Sequence, residues 1–272
     1  MTGLVCRNLS LGYGRRPVLQ DVDLTVPEGS VTALIGANGS GKSTLLRAMA
    51  GLLRPENGTV KLDDKPLAVW PRKQLARRLS FLPQEMIDPP EITVAELVAY
   101  GRHPHRGLLG RATAGDTDAI ARAIAATDMT RFADRMLATL SGGERRRAWI
   151  SMALAVEARM LLLDEPTTFL DIGHQFEVLE LVQEINRTHG ITVVLSLHDL
   201  NQAVRFADNL VVVDRGTIVD QGAPATVLTE QLLSETFRVS ATIARSEDEL
   251  PMFVATGSIK SPSFGHPERT LS

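Results

Sequence analysis

The sequence predicts an α/β fold: a parallel sheet flanked by helices, with an antiparallel β subdomain at the N-terminal end and an inserted α-helical subdomain. Three observations carry that prediction. The runs Val31–Ile35, Met160–Leu163 and Ile191–Leu197 are apolar and uncharged, as strands covered on both faces of a parallel sheet are. From Met160 onward strands alternate with helical stretches, which implies βαβ units with right-handed crossovers. Before them, residues 85–156 read as helices.

In chain order, Leu4–Leu9, Val22–Val26 and Thr59–Leu62 are short strands, with turn signals at Gly12–Gly14, Pro27–Gly29 and Asn57–Gly58. Val31–Ile35, interrupted only by Thr32, leads into a glycine-rich segment and then a helix-forming run, Thr44–Ala50. Thr93-Val-Ala-Glu96 has the capping-box pattern and should open a helix near Leu97–Arg102. A second helix covers Asp116–Thr127, with Ile120 and Ile124 one turn apart, and a third runs from about Gly142 to Glu157. The strand Met160–Leu163, helix Gly173–His189, strand Ile191–Leu197 and helix Asp199–Ala207 follow, then strands Leu210–Val213 and Thr217–Gln221. Pro224 suits the first turn of a last helix. Residues 1–84 and 157–237 thus form one core, 85–156 an inserted helical subdomain, and 238–272 a partly disordered tail. From about Gly257 that tail is rich in Ser, Pro and Gly.

Of 272 residues, 44% are apolar and 22% charged, which excludes collagen and global disorder. The net charge of -3 disfavours a general nucleic-acid binder. Cys6 is the only cysteine, so neither an intrachain disulfide nor a cysteine-rich zinc site can form. Met1–Ser10 has no apolar core of signal-peptide length, and Ala148–Val156 is far short of a membrane span. The expectation is a cytosolic chain, or one that meets a membrane only through a partner.

The strongest chemical signal is Gly36-Ala-Asn38-Gly39-Ser40-Gly41-Lys42-Ser43, followed by Thr44. It matches the phosphate loop G-x-x-x-x-G-K-[ST] in its proper setting, after an apolar strand and before a helix. Glycines there let backbone N–H groups turn inward as an anion nest at a helix N-terminus. Lys42 should contact the β/γ-phosphates, and Ser43 should ligate Mg2+ through its hydroxyl. Met160–Leu163 ends in Asp164 and Glu165. That position puts Asp164 beside Mg2+ and Glu165 where it can act as general base on the attacking water. Leu140-Ser141-Gly142-Gly143-Glu144 is a second anion site at a helix start.

Together these motifs resemble the nucleotide-binding subunit of an ATP-binding cassette (ABC) transporter, over about residues 3–235. The resemblance implies a P-loop NTPase (RecA-like) core, ATP and Mg2+ as ligands, and a head-to-tail homodimer. In that dimer each ATP lies between one copy's phosphate loop and the other copy's Ser141, Gly142 and Gly143. It also implies that Gln84 is the Q-loop residue that senses Mg2+, that His198 is the switch histidine on the γ-phosphate, that Tyr13 stacks on adenine and that Asp171 lies at the dimer interface. Phe169 stands where a small residue is more usual, and Glu144 where Gln is commoner. With Tyr100–His105, Leu108–Gly110 and Thr167–Gln175, this text looks like importers of ferric siderophores, haem or cobalamin. The implied partners are integral-membrane permease subunits and, indirectly, a substrate-binding protein, with the chain at the cytoplasmic face of the inner membrane. His103, His105 and His174 lack metal-ligand spacing and read as structural or interfacial. Arg145-Arg-Arg147 reads as a solvated face or an interface. The alternatives are a soluble ABC clamp, disfavoured by a single cassette without heptads, and a GTPase switch, disfavoured because Asn-Lys-x-Asp is absent.

Overall fold

The structure, a computed structural model, describes residues 3–14, 16–89, 91–106, 113–245 and 250–259. Leu108–Gly110 and the end of the tail, 260–272, lie outside them.

Strands β1 (Leu4–Tyr13) and β2 (Arg16–Val26) form a hairpin. β3 (Val31–Ile35) and α1 (Lys42–Met49) flank the glycine-rich loop. β4 (Asn57–Leu62), β5 (Lys65–Pro66), α2 (Arg72–Ala76) and β6 (Leu79–Leu82) follow. The helical block contains α3 (Val94–Tyr100), α4 (Ala114–Ala126) and α5 (Gly142–Ala155). β7 (Met160–Leu163), α6 (Ile172–His189), β8 (Thr192–Ser196), α7 (Leu200–Phe206), β9 (Asn209–Asp214) and β10 (Thr217–Gly222) complete the alternation. α8 (Pro224–Val227), α9 (Glu230–Phe237), β11 (Val239–Arg245) and β12 (Pro251–Ser258) close the described chain.

The main sheet has the order β10-β9-β3-β8-β7-β6. All its pairings are parallel except the antiparallel edge strand β10. An antiparallel sheet, β2-β1-β4-β5, lies over one face. Leu34, Leu162 and Val194 point to that face and pack with Leu4, Leu24, Leu45 and Met49. Their strand neighbours Ala33, Leu161, Leu163 and Leu195 point to the other face, against Val178 and Val182 of α6 and Ala203 of α7. The period of two thus gives each central strand an apolar residue for both faces, which is why these runs carry no alternation.

Each inserted helix is started by its own side chains. Thr93, Thr113 and Ser141 each accept from the backbone N–H three residues on, while Glu96, Asp116 and Glu144 answer back to the cap N–H. These reciprocal bonds satisfy N-terminal donors that the helix cannot. The insert has its own core around Val94, Leu97, Ile124, Phe132 and Ala148.

The sequence reading has no element between Leu62 and Gln84, where β5, α2 and β6 lie, and it departs from the structure at both ends of the chain as well. β1 and β2 are longer than Leu4–Leu9 and Val22–Val26, and their pairing shifts register between Cys6 and Leu9 and again near Leu11. Asn8 and Asp21 take positive φ there, so bulges break the alternation that marks a strand. Val239–Arg245 and Pro251–Ser258, read as tail, are strands β11 and β12 paired antiparallel. β12 is held by Asn201, whose side chain accepts from Phe253 N–H (3.0 Å) and donates to its C=O (3.3 Å).

Candidate active site

Four loops converge at the C-terminal ends of the adjacent strands β3, β8, β7 and β6, the crevice where open α/β sheets place their ligands. The phosphate loop follows β3. Gly36, Gly39 and Gly41 have φ of 151°, 76° and 112°, conformations open to glycine at little cost. A Cβ on Gly36 would stand 2.0 Å from the Val213 carbonyl oxygen. The buried Lys42 ammonium donates to the C=O of Gly36 (2.8 Å) and Ala37 (3.1 Å). Burial pushes its pKa down, against the pull of Glu165 and Asp164. Ser40 Oγ is buried in the loop and has no hydrogen-bond partner among the described residues. Asn38 is exposed on the loop, and Thr44 is buried in α1.

Asp164, fully buried after β7, accepts at Oδ1 from Ser43 Oγ and from Ser196 Oγ, each at 2.9 Å. Among the described residues its Oδ2 has no hydrogen-bond partner, and the Arg47 guanidinium stands 4.0 Å away. An orphaned carboxylate oxygen beside a hydroxyl is a hard-oxygen donor set, which fits Mg2+. Among the described residues no group of three His, Cys, Asp or Glu side chains is placed to hold a metal. The ion would therefore draw its remaining ligands from phosphate and water.

Glu165 has φ 46°, and its N–H donates to Ser196 Oγ at 2.8 Å. Its carboxylate Oε2 accepts from Gln84 Nε2 and from Thr168 Oγ1 (2.9 Å). Its Oε1 lies 2.6 Å from His198 Nε2. The sequence-expected Gln84, Glu165 and His198 thus meet on one carboxylate, next to Lys42, Ser43 and Asp164.

Tyr13, Ser141–Gly143 and Asp171 share no hydrogen bond or ion pair with that set among the described residues. Tyr13 ends β1 with its ring half exposed. Ser141 caps α5 and lines a cleft of about 300 Å3 with Arg131, Glu144, Arg147 and His174, which contains no phosphate-loop residue. Asp171 caps α6 through His174 N–H.

Three participants were missed. Ser196 joins Asp164 to Glu165, Thr168 holds Glu165, and Arg146 donates to the C=O of Glu165 (2.9 Å) and Asp164 (3.4 Å). Arg146 also corrects the reading of Arg145–Arg147 as one solvated face or interface. It is buried, and burial pushes its pKa down to about 10. Arg145 bonds Asp88 (3.0 Å) and Arg147 bonds Glu177 (3.0 Å). A polar Ser in the apolar run Ile191–Leu197 was the one sequence signal available for Ser196.

The family model described as "ABC transporter" matches residues 19–168. The chain belongs to the ABC transporter family. This ABC cassette is 47% identical over 229 residues to the ferric enterobactin transport ATP-binding protein FepC of Escherichia coli (strain K12), covering 84% of each chain. It also resembles a solved metal-chelate type ABC transporter in an inward-facing conformation, with TM-score 0.81, 28% identity and coverage of 93% of this chain and 97% of that one. A dimeric bacterial ABC transporter cassette matches with TM-score 0.71, 27% identity and coverage of 81% of this chain and 98% of that one. ABC cassettes bind and hydrolyse ATP. Among the described residues no helix is long and apolar enough to cross a membrane.

Proposed function

We propose that this ABC ATPase powers import of a ferric-siderophore complex through separate membrane permease subunits. It works as a head-to-tail pair at the cytoplasmic face of the inner membrane, and a substrate-binding protein delivers the cargo. The observation that carries the chemistry is the Glu165 carboxylate, held by Gln84, Thr168 and His198 beside the Asp164–Ser43 pair. In that position Glu165 takes a proton from water as the water oxygen bonds to the γ-phosphorus and the bond to the ADP oxygen breaks. Lys42 and the loop amides hold the β- and γ-phosphates. Ser43, Asp164 and Gln84 would hold Mg2+, which supplies charge neutralisation when bound. Tyr13 would stack on adenine, worth about 1–3 kcal/mol.

The pairing is supported by the separation of the two anion sites within one chain. The cleft at Ser141 contains no phosphate-loop residue, so a second copy is needed to bring Ser141, Gly142 and Gly143 to a nucleotide, with Asp171 at the interface between the copies. The cargo class is supported by the likeness to a ferric enterobactin transport subunit and to a metal-chelate type transporter.

Two experiments test the reading. Glu165→Gln should keep nucleotide binding and lower phosphate release about 100-fold or more; release at the wild-type rate removes Glu165 as the base. In native cells, Lys42→Ala should abolish uptake of a labelled ferric siderophore. Loss of haem or cobalamin uptake instead would keep the mechanism and change the cargo.

A further inference from the structure

His174, the third residue of α6, stands between two elements that face the partner copy in the reading above. On one side its Nδ1 lies 2.7 Å from Asp171 Oδ2, and its backbone N–H donates to Asp171 Oδ1 at 3.0 Å. On the other, its ring occupies the place of a side chain at Gly143. A Cβ built on Gly143 would lie 2.4 Å from His174 Cδ2 and 2.9 Å from Cγ. The imidazole therefore joins the loop at Asp171 to the first turn of α5 through one bond and one packing contact.

In a head-to-tail pair, Ser141–Gly143 of one copy reach the ATP held by the other copy's phosphate loop, and Asp171 lies at the interface between the copies. We propose that His174 is a positioning residue that sets these two elements against each other, so that they engage the partner copy and its nucleotide as one rigid half-site. This inference rests on the head-to-tail reading.

Protonation strengthens the tie to Asp171, because the charged imidazolium donates to a carboxylate. Asp171 and Glu177 on α6 favour the charged ring, and Arg147 on α5 opposes it. Asp128, Arg131 and Glu144 line the same cleft. The bond to Asp171 is the main cause that holds the His174 pKa above its ordinary value. A raised pKa means the contribution is complete below the ordinary imidazole pKa and is lost as pH rises through the folded-state value.

The test uses the full chain with Glu165→Gln, Mg2+ and ATP, and follows pairing by sedimentation across pH. Glu165→Gln alone should pair, with affinity falling on the alkaline side. Adding His174→Ala should weaken pairing about tenfold and remove that alkaline fall. Adding His174→Gln, which refills the space at Gly143 without a charge, should give intermediate affinity and a flat profile. Binding of a fluorescent ATP analogue to single chains reports the phosphate loop and should not change in either double variant. Pairing by the His174→Ala chain with undiminished affinity and the same pH profile overturns the inference and leaves the head-to-tail reading standing. Failure of the Glu165→Gln chain itself to pair with ATP overturns that reading, and the inference with it.

Discussion

Ser196→Ala removes a single oxygen atom, yet it should be among the more damaging small changes in the molecule. Ser196 is fully buried at the end of β8, where it donates to Asp164 Oδ1 and accepts from Glu165 N–H. Without it, the Glu165 N–H is left unsatisfied in a buried position, at a cost of about 1–3 kcal/mol. Asp164 loses one charge-assisted bond, worth about 1.5–3 kcal/mol, at the low end because Ser43 still donates to the same oxygen. A void of one oxygen is too small to admit a water that could replace it. The sum is about 3 kcal/mol, or roughly 6–12 °C in the melting temperature for a chain of this size. Because Glu165 sits at φ 46° and its N–H is tied to Ser196, turnover should fall as well. The matched control is Ser30→Ala, which deletes an exposed hydroxyl bonded to the Pro27 C=O at 2.8 Å and should change stability by less than about 0.5 kcal/mol. Thermal melts followed by circular dichroism, with phosphate release on the same samples, give both readouts. If Ser196→Ala melts with Ser30→Ala and hydrolyses ATP at the wild-type rate, the assignment of Ser196 as the link between the two carboxylates is wrong.

Arg102→Met should destabilise the helical insert by about 3 kcal/mol, since it strands the buried Asp116 that Arg102 pairs at 2.9 Å. Asp116 is held well below the usual carboxylate range by the Thr113 N–H bond first and by Arg102 next. Its contribution is therefore complete above the ordinary carboxylate pKa and is lost progressively as pH falls from there through the depressed folded-state value, so the gap between the urea midpoints of wild type and variant should begin to narrow below about pH 4. Gly143→Ala places a Cβ 2.4 Å from the His174 ring. It should cut ATP turnover about tenfold or more while single chains still bind a fluorescent ATP analogue; unchanged turnover would show that the first turn of α5 tolerates displacement. Arg146→Lys should lower the melting temperature by several degrees, because an ammonium cannot reproduce the planar fork that serves the Asp164 and Glu165 carbonyls; an unchanged melt would remove that bond pair from the account.

How much of this was legible depended on whether a feature is local in the chain. The phosphate loop is a contiguous octet whose glycines meet a geometric need, and the Thr93–Glu96 cap is a four-residue pattern. Both could be read without knowing what packs nearby. The uncharged strands were legible because covering both faces forbids charge at every position. The convergence of Gln84, Glu165 and His198 was reached through family resemblance, since they are separated by up to 114 positions along the 272-residue chain and only the strand order brings them together. Bulges at Asn8 and Asp21 hid the real lengths of β1 and β2 by breaking their period. The β11-β12 pair is held by Asn201 and by packing of Ala241, Ile243 and Phe253 on the main core, partners that are distant in sequence and carry no local mark. The Arg145–Arg147 run was open to a stronger argument than composition. Successive residues on an α-helix are turned by about 100°, so three consecutive arginines cannot share one face. Geometry alone assigns them three directions, and with α5 packed against α3, α4, β6 and α6, one of those directions has to be the protein interior. A guanidinium sent there needs acceptors, and the carbonyls at the end of β7 are the ones it finds. That is how a residue with no motif of its own comes to brace the backbone on which Asp164 and Glu165 stand.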